Sequence, residues 1–117
     1  AMATDFHPDA AGCCCHNAMK NNADVEFQLL DWSNPPAWEP FQVVIGSDLL
    51  YEERHIPALV ATITQLCAQD GVVFIADPGR NGLGFFTGQM QEKGWSCELH
   101  PSDSIFVMEF SRKNKAR

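Results

Sequence analysis

Apolar and polar residues alternate along Val25-Glu26-Phe27-Gln28 and give way to the apolar pair Leu29-Leu30. This pattern predicts a strand that is half covered at its start and buried at its end. Phe41-Gln42-Val43-Val44-Ile45 is β-branched and runs into Gly46-Ser47-Asp48, as expected of a buried parallel strand opening into a loop. From about Glu53 to Gln69, Ile56, Leu59, Val60, Ile63, Leu66 and Cys67 recur at steps of three and four, the clearest helical signature in the chain. Asp70-Gly71 reads as a turn into the short strand Val72-Val73-Phe74-Ile75-Ala76, closed by Asp77-Pro78-Gly79. Leu83 to Lys93 is predicted helical, ended by Gly94. Trp95-Ser96-Cys97-Glu98-Leu99 and Ser104 to Ser111 leave no room for a helix between them and should pair antiparallel. Near the N-terminus, Pro8 to Lys20 reads as a helix ended by Asn21-Asn22. Asp31 to Pro40, with Ser33-Asn34-Pro35-Pro36 inside it, is a loop, and Arg112 to Arg117 a basic, frayed tail.

Strands that alternate with helices imply an α/β fold with a mostly parallel, Rossmann-like sheet, to which the closing pair adds an antiparallel member. In such sheets ligands bind beyond the carboxyl ends of the strands. Four strand ends carry a carboxylate: Asp5, Asp31, Asp48 and Asp77. Any one of them has an ordinary explanation, because aspartate is a common turn former and helix cap. Their recurrence at successive strand ends is the informative part. A strand-tip aspartate can accept hydrogen bonds from both ribose hydroxyls, and Trp32 beside Asp31 offers either a flat face for a purine or plain loop packing.

At 117 residues the chain is expected to form one domain, with Ala1-Met2 a start or tag remnant. With 8 Lys+Arg against 15 Asp+Glu, its net charge of −7 disfavours nucleic acid and anionic membrane surfaces as partners. No apolar run long enough to span a bilayer occurs, and Ala1 to Asp5 lacks a signal-peptide pattern, so no membrane role is expected. Five cysteines, three of them consecutive (Cys13, Cys14, Cys15), suit a reducing cytoplasm better than a disulfide framework. Cys13-Cys14-Cys15-His16 is a poor metal site, because consecutive helical residues diverge by about 100°. Small apolar packing with one thiol at the surface is expected there, and Cys67 and Cys97 should be core. His7, His55 and His100 flank turns, where capping is their default role. Gly79-Arg80-Asn81-Gly82-Leu83-Gly84 does not follow the order of a phosphate-binding glycine loop and reads as a turn before a helix.

Thr4-Asp5-Phe6-His7-Pro8-Asp9-Ala10 ahead of a helix, Leu30-Asp31-Trp32, and Val43-Val44-Ile45-Gly46-Ser47-Asp48-Leu49-Leu50-Tyr51-Glu52 together resemble the seven-β-strand S-adenosylmethionine methyltransferases. The resemblance is to the group marked by Asp-X-X-Tyr after its fourth strand, which includes many protein-lysine methyltransferases. Ile75-Ala76-Asp77-Pro78-Gly79-Arg80 and the closing strand pair agree with it. It implies S-adenosylmethionine as cofactor and an amine as acceptor, most plausibly a protein lysine, although a small amine also fits. Asp5 would hold the ribose hydroxyls, Asp31 would accept from the adenine amino group, and Trp32 would stack on the ring. Ser47 would lie beside the methionine part. Asp48 and Tyr51 would face the acceptor amine as catalytic residues, one orienting it and the other shaping a narrow entrance. Alignment of the acceptor and exclusion of water would carry the reaction more than acid–base chemistry.

The family's first strand and its glycine-rich turn would precede Asp5, where four residues stand. The resemblance therefore implies an N-terminally incomplete, truncated sheet with exposed edges, and little activity from this chain by itself. The other expectation, from a different class, is a non-catalytic α/β module that forms homodimers through exposed or exchanged strands.

Overall fold

A computed structural model describes residues 1–5, 7, 9–47, 49–50, 52–79 and 82–112. The chain forms two compact units, Ala1–Pro36 and Ala37–Arg117. The strands fall into two sheets, one in each unit, where the sequence suggested a single sheet.

The first unit holds β1 (Met2–Asp5), α1 (Ala10–Lys20) and β2 (Glu26–Leu29). The two strands pair parallel, from Met2 beside Glu26 to Asp5 beside Leu29. Helix α1 begins at Ala10, and Pro8 lies outside the described residues. It ends where expected: Asn21 donates from its backbone N–H and its side chain to Asn17 O, Asn22 takes φ 53°, and Lys20 complements the last turn. No residue of α1 is buried, so the cysteine run differs from the expected single surface thiol: Cys13 and Cys15 are both exposed and Cys14 is half-buried. Three consecutive residues sweep about 200° of helix circumference, so they cannot share an inward face. Leu30 is buried as expected, but Leu29 is 53% exposed, because in so short a sheet alternate side chains have no covering layer.

The second unit holds β3 (Phe41–Ser47), α2 (Ile56–Leu66) after a 3-10 turn Glu53–His55, β4 (Cys67–Asp77), α3 (Gly82–Glu92), β5 (Trp95–Pro101) and β6 (Phe106–Arg112). The sheet order is β3-β4-β6-β5, with β3 parallel to β4 and the β4–β6 and β5–β6 pairs antiparallel. The core lies on one face of this sheet. Ile56, Leu59, Val60, Ile63 and Leu66 of α2 and Phe86 and Met90 of α3 are buried, as are Val73, Ile75, Trp95, Met108 and Phe110 of the strands. Phe86 meets Phe110 edge to face, ring centroids 5.5 Å apart, and Thr87 Oγ1 reaches Met108 Sδ at 3.4 Å.

Three differences from the sequence reading share this unit. Helix α2 stops at Leu66, not Gln69: Cys67 is already extended (φ −93°, ψ 134°) and pairs with Phe41. Between Phe41 and Val43 the ladder is irregular, because β4 advances from Cys67 to Val72 while β3 advances two residues. Asp70-Gly71 thus lies inside β4, in that bulge, where a Cβ on Gly71 would sit 2.7 Å from Gln42 O and 2.8 Å from Cys67 Sγ. Second, β3 is not the buried strand expected. Val43 is 58% and Ile45 76% exposed, because they face away from α2 and α3 and, among described strands, β3 pairs only with β4. Third, Arg112 is no tail residue. It closes β6 opposite Trp95, its guanidinium 4.4 Å over the indole ring, and donates to Thr64 O, Cys67 O and Gln69 Oε1. These bonds occupy carbonyls where α2 ends, a position that suits a cation.

Candidate functional site

The carboxyl ends of β1 and β2 lie side by side. Asp5 is paired with Leu29, Leu30 N–H donates to Asp5 O at 2.9 Å, and Asp31 follows two residues beyond Leu29. Asp5, Asp31 and Trp32 therefore share one rim of the first unit. Each acid is anchored in the same way. Asp5 Oδ1 accepts from the backbone N–H of His7 at 2.9 Å, and Asp31 Oδ1 accepts from Ser33 N–H at 3.0 Å and Ser33 Oγ at 2.7 Å. These turns are the ordinary role of aspartate, yet they occupy only Oδ1. Oδ2 of each has no hydrogen bond among the described residues, and both side chains are exposed. The Ser33 hydroxyl, and then its backbone N–H, hold the Asp31 carboxyl below the ordinary aspartate value, so it is an anion at neutral pH. Trp32 beside it is half-buried.

In the second unit, Ser47 ends β3 beside Ala76, one residue before Asp77 ends β4. Ser47 is exposed, and Asp77 is buried with its Oδ2 accepting from Gly79 N–H at 2.9 Å. The expected catalytic pair, Asp48 and Tyr51, lies outside the described residues. The structure thus brings Asp5, Asp31 and Trp32 to one rim and Ser47 and Asp77 to another.

Two features escaped the sequence reading. Ser33 appeared only as a loop former, although an aspartate with serine two residues on is the signature of this turn, and it fixes the charge of Asp31. Arg112 carried no local signal, because its partners lie 43 to 48 residues earlier.

Two exposed carboxylates and a half-buried indole on one rim suit hydroxyl and amino donors on a flat heterocycle and its sugar, the chemistry of the nucleoside part of S-adenosylmethionine. A family model described as lysine methyltransferase matches residues 3–92. The protein-lysine N-methyltransferase rrg1 of Schizosaccharomyces pombe is 31% identical over 87 residues, covering 64% of this chain and 29% of that protein. Among solved structures, the N-methyltransferase NodS of Bradyrhizobium japonicum, in complex with S-adenosylhomocysteine, superposes with a TM-score of 0.77 at 13% identity, over 97% of this chain and 66% of its own. Magnesium protoporphyrin IX methyltransferase of Synechocystis, with bound S-adenosylmethionine, gives 0.75 at 14% identity, over 96% and 59%. At these identities the likeness is one of fold. The chain therefore spans about three tenths of the curated relative and about three fifths of the fold neighbours. With the family match covering most of its length, the chain belongs to the lysine methyltransferase family.

Proposed function

We propose that these 117 residues carry the nucleoside-binding rim and the acceptor-side strand end of an S-adenosylmethionine-dependent methyltransferase whose acceptor is the ε-amine of a protein lysine. The observation that carries this reading is the pair of anchored carboxylates, Asp5 and Asp31, at adjacent ends of β1 and β2. When bound, the cofactor supplies a methyl group made electrophilic by its sulfonium. The chain's own residues bind and orient. Asp5 takes the ribose hydroxyls through Oδ2, Asp31 accepts from the adenine amino group, and Trp32 covers the ring. Because each carboxylate is already fixed by a backbone N–H, little freedom is lost on binding. Ser47 lies by the methionine part. Asp48 orients the neutral acceptor amine and Tyr51 narrows its approach, roles that rest on the Asp-X-X-Tyr pattern. Among the described residues no helix is long and apolar enough to cross a membrane, and the cytoplasm is the proposed location.

The test is calorimetric titration of S-adenosylhomocysteine into the protein, together with transfer of labelled methyl to lysine peptides. Asp5→Ala and Asp31→Ala should each weaken binding about tenfold, the loss of one or two charge-assisted hydrogen bonds, while Asp48→Ala abolishes transfer and spares binding. Affinity unchanged in both rim variants would end the assignment. Among the described strands β3 pairs only with β4 and leaves Val43 and Ile45 exposed, which favours a second reading, a non-catalytic module that pairs edge to edge. Light scattering that gives a monomer at high concentration would remove it.

A further inference from the structure

The sheet face opposite α2 and α3 turns polar toward β5 and β6. On it Glu98 of β5 stands directly across from Glu109 of β6, and His100 lies two residues along β5. Like charges directly opposite each other destabilise a strand pair, so this register calls for a positive charge between them. His100 Nε2 lies 3.0 Å from Glu109 Oε1, and one ligand atom from each of Glu98, His100 and Glu109 falls within 4.8 Å of the other two. Beside the trio the surface dips into a concavity of about 230 Å³ lined by Ser96, Cys97, Glu98, Glu109 and Ser111.

From this geometry we infer that Glu98, His100 and Glu109 form a binding site for a divalent transition ion of the zinc class, on the strand pair remote in sequence from the strand-end aspartates. One imidazole and two carboxylates are a donor set zinc accepts, with a fourth position open to water. Tetrahedral ligands at about 2.0–2.1 Å from zinc stand about 3.3 Å from one another, so the trio must close by no more than about 1.5 Å. Exposed Glu98 and half-buried Glu109 reach that by rotamer change, without moving the strands. The imidazole selects against magnesium and calcium, which prefer all-oxygen shells. Bound zinc would turn the cross-strand repulsion into a bridge between β5 and β6.

The test uses the full chain with Cys13, Cys14 and Cys15 changed to serine, so that the helix thiols do not compete. Zinc chloride is titrated by calorimetry, cobalt(II) is followed by its visible spectrum, and the His100 ring is followed by NMR. The expected result is one ion per chain, a cobalt spectrum free of thiolate charge transfer, and a shifted His100 resonance. His100→Ala, Glu98→Gln and Glu109→Gln should each lower zinc affinity at least about tenfold, as loss of a direct ligand must cost no less than loss of a supporting residue. Magnesium should not compete. Each variant's circular dichroism spectrum without metal separates lost ligation from lost folding. Saturation that survives all three substitutions, or no binding at millimolar zinc, overturns the proposal.

Discussion

Arg112→Ala tests whether the last residue of β6 fastens the second unit. The substitution removes a guanidinium stacked 4.4 Å over Trp95, its bonds to Thr64 O and Cys67 O, and a 2.8 Å bond to Gln69 Oε1. A partly desolvated cation–π contact is worth about 1–2 kcal/mol, and a hydrogen bond from a charged donor about 1.5–3 kcal/mol. Against this stand about 2 kcal/mol of side-chain ordering and the cost of Arg112 Nε, which is buried with no hydrogen-bond partner among the described residues. The ring contact and three such bonds total about 5–11 kcal/mol against costs of about 3–5 kcal/mol, a net loss centred near about 4 kcal/mol, or about 15–30 °C in melting temperature for a unit of this size. Urea unfolding followed by circular dichroism should show a lower midpoint with an unchanged slope. Arg112→Lys keeps the charge but loses the planar fork and should recover less than half. A midpoint for Arg112→Ala within about 0.5 kcal/mol of the parent, the scatter of ordinary surface substitutions, would refute the reasoning.

Gly71→Ala puts a methyl 2.7 Å from Gln42 O in the β3–β4 bulge and should cost about 1–3 kcal/mol by the same urea assay, whereas Gly12→Ala, with open space around it, should not destabilise. The Asp31 carboxyl is depressed by Ser33, so whatever stability it lends is present above the unfolded aspartate value and is lost as pH falls through the lower folded one. Carbon-detected NMR should find that lower midpoint, and Ser33→Ala should raise it. Burial pushes the Cys67 and Cys97 thiols up, so a thiolate-specific reagent at mildly alkaline pH should label Cys13 and Cys15 first and Cys67 last. Because the Arg112 guanidinium opposes that rise, Arg112→Ala should slow Cys67 further at a pH where the unit stays folded.

What was legible in the sequence was local. The three-and-four spacing of Ile56 to Leu66 located α2 and its buried face, and Gly94, at φ 96°, ended α3 where expected. Asp5 and Asp31 at adjacent strand ends marked one rim in the sequence, and in the structure each closes its turn through Oδ1. What was not legible depended on neighbours. The run Val43-Val44-Ile45 specifies a strand, but only the sheet decides that Val43 and Ile45 face outward while Val44 does not. The end of α2 was misread because Ala68 and Gln69 tolerate a helix. The choice falls to Phe41, which pairs with Cys67, and to Arg112, which takes up the freed carbonyls.

β6, last in chain order among the described strands, is an interior member of its sheet, seated between β4 and β5. Synthesis therefore leaves the two strands that flank it without their shared neighbour until β6 itself emerges, and the second unit is expected to lock in place only then. A nonsense codon anywhere in β6 would do more than shorten the polypeptide: it would unzip the sheet at its middle and expose two sticky borders in the nascent product.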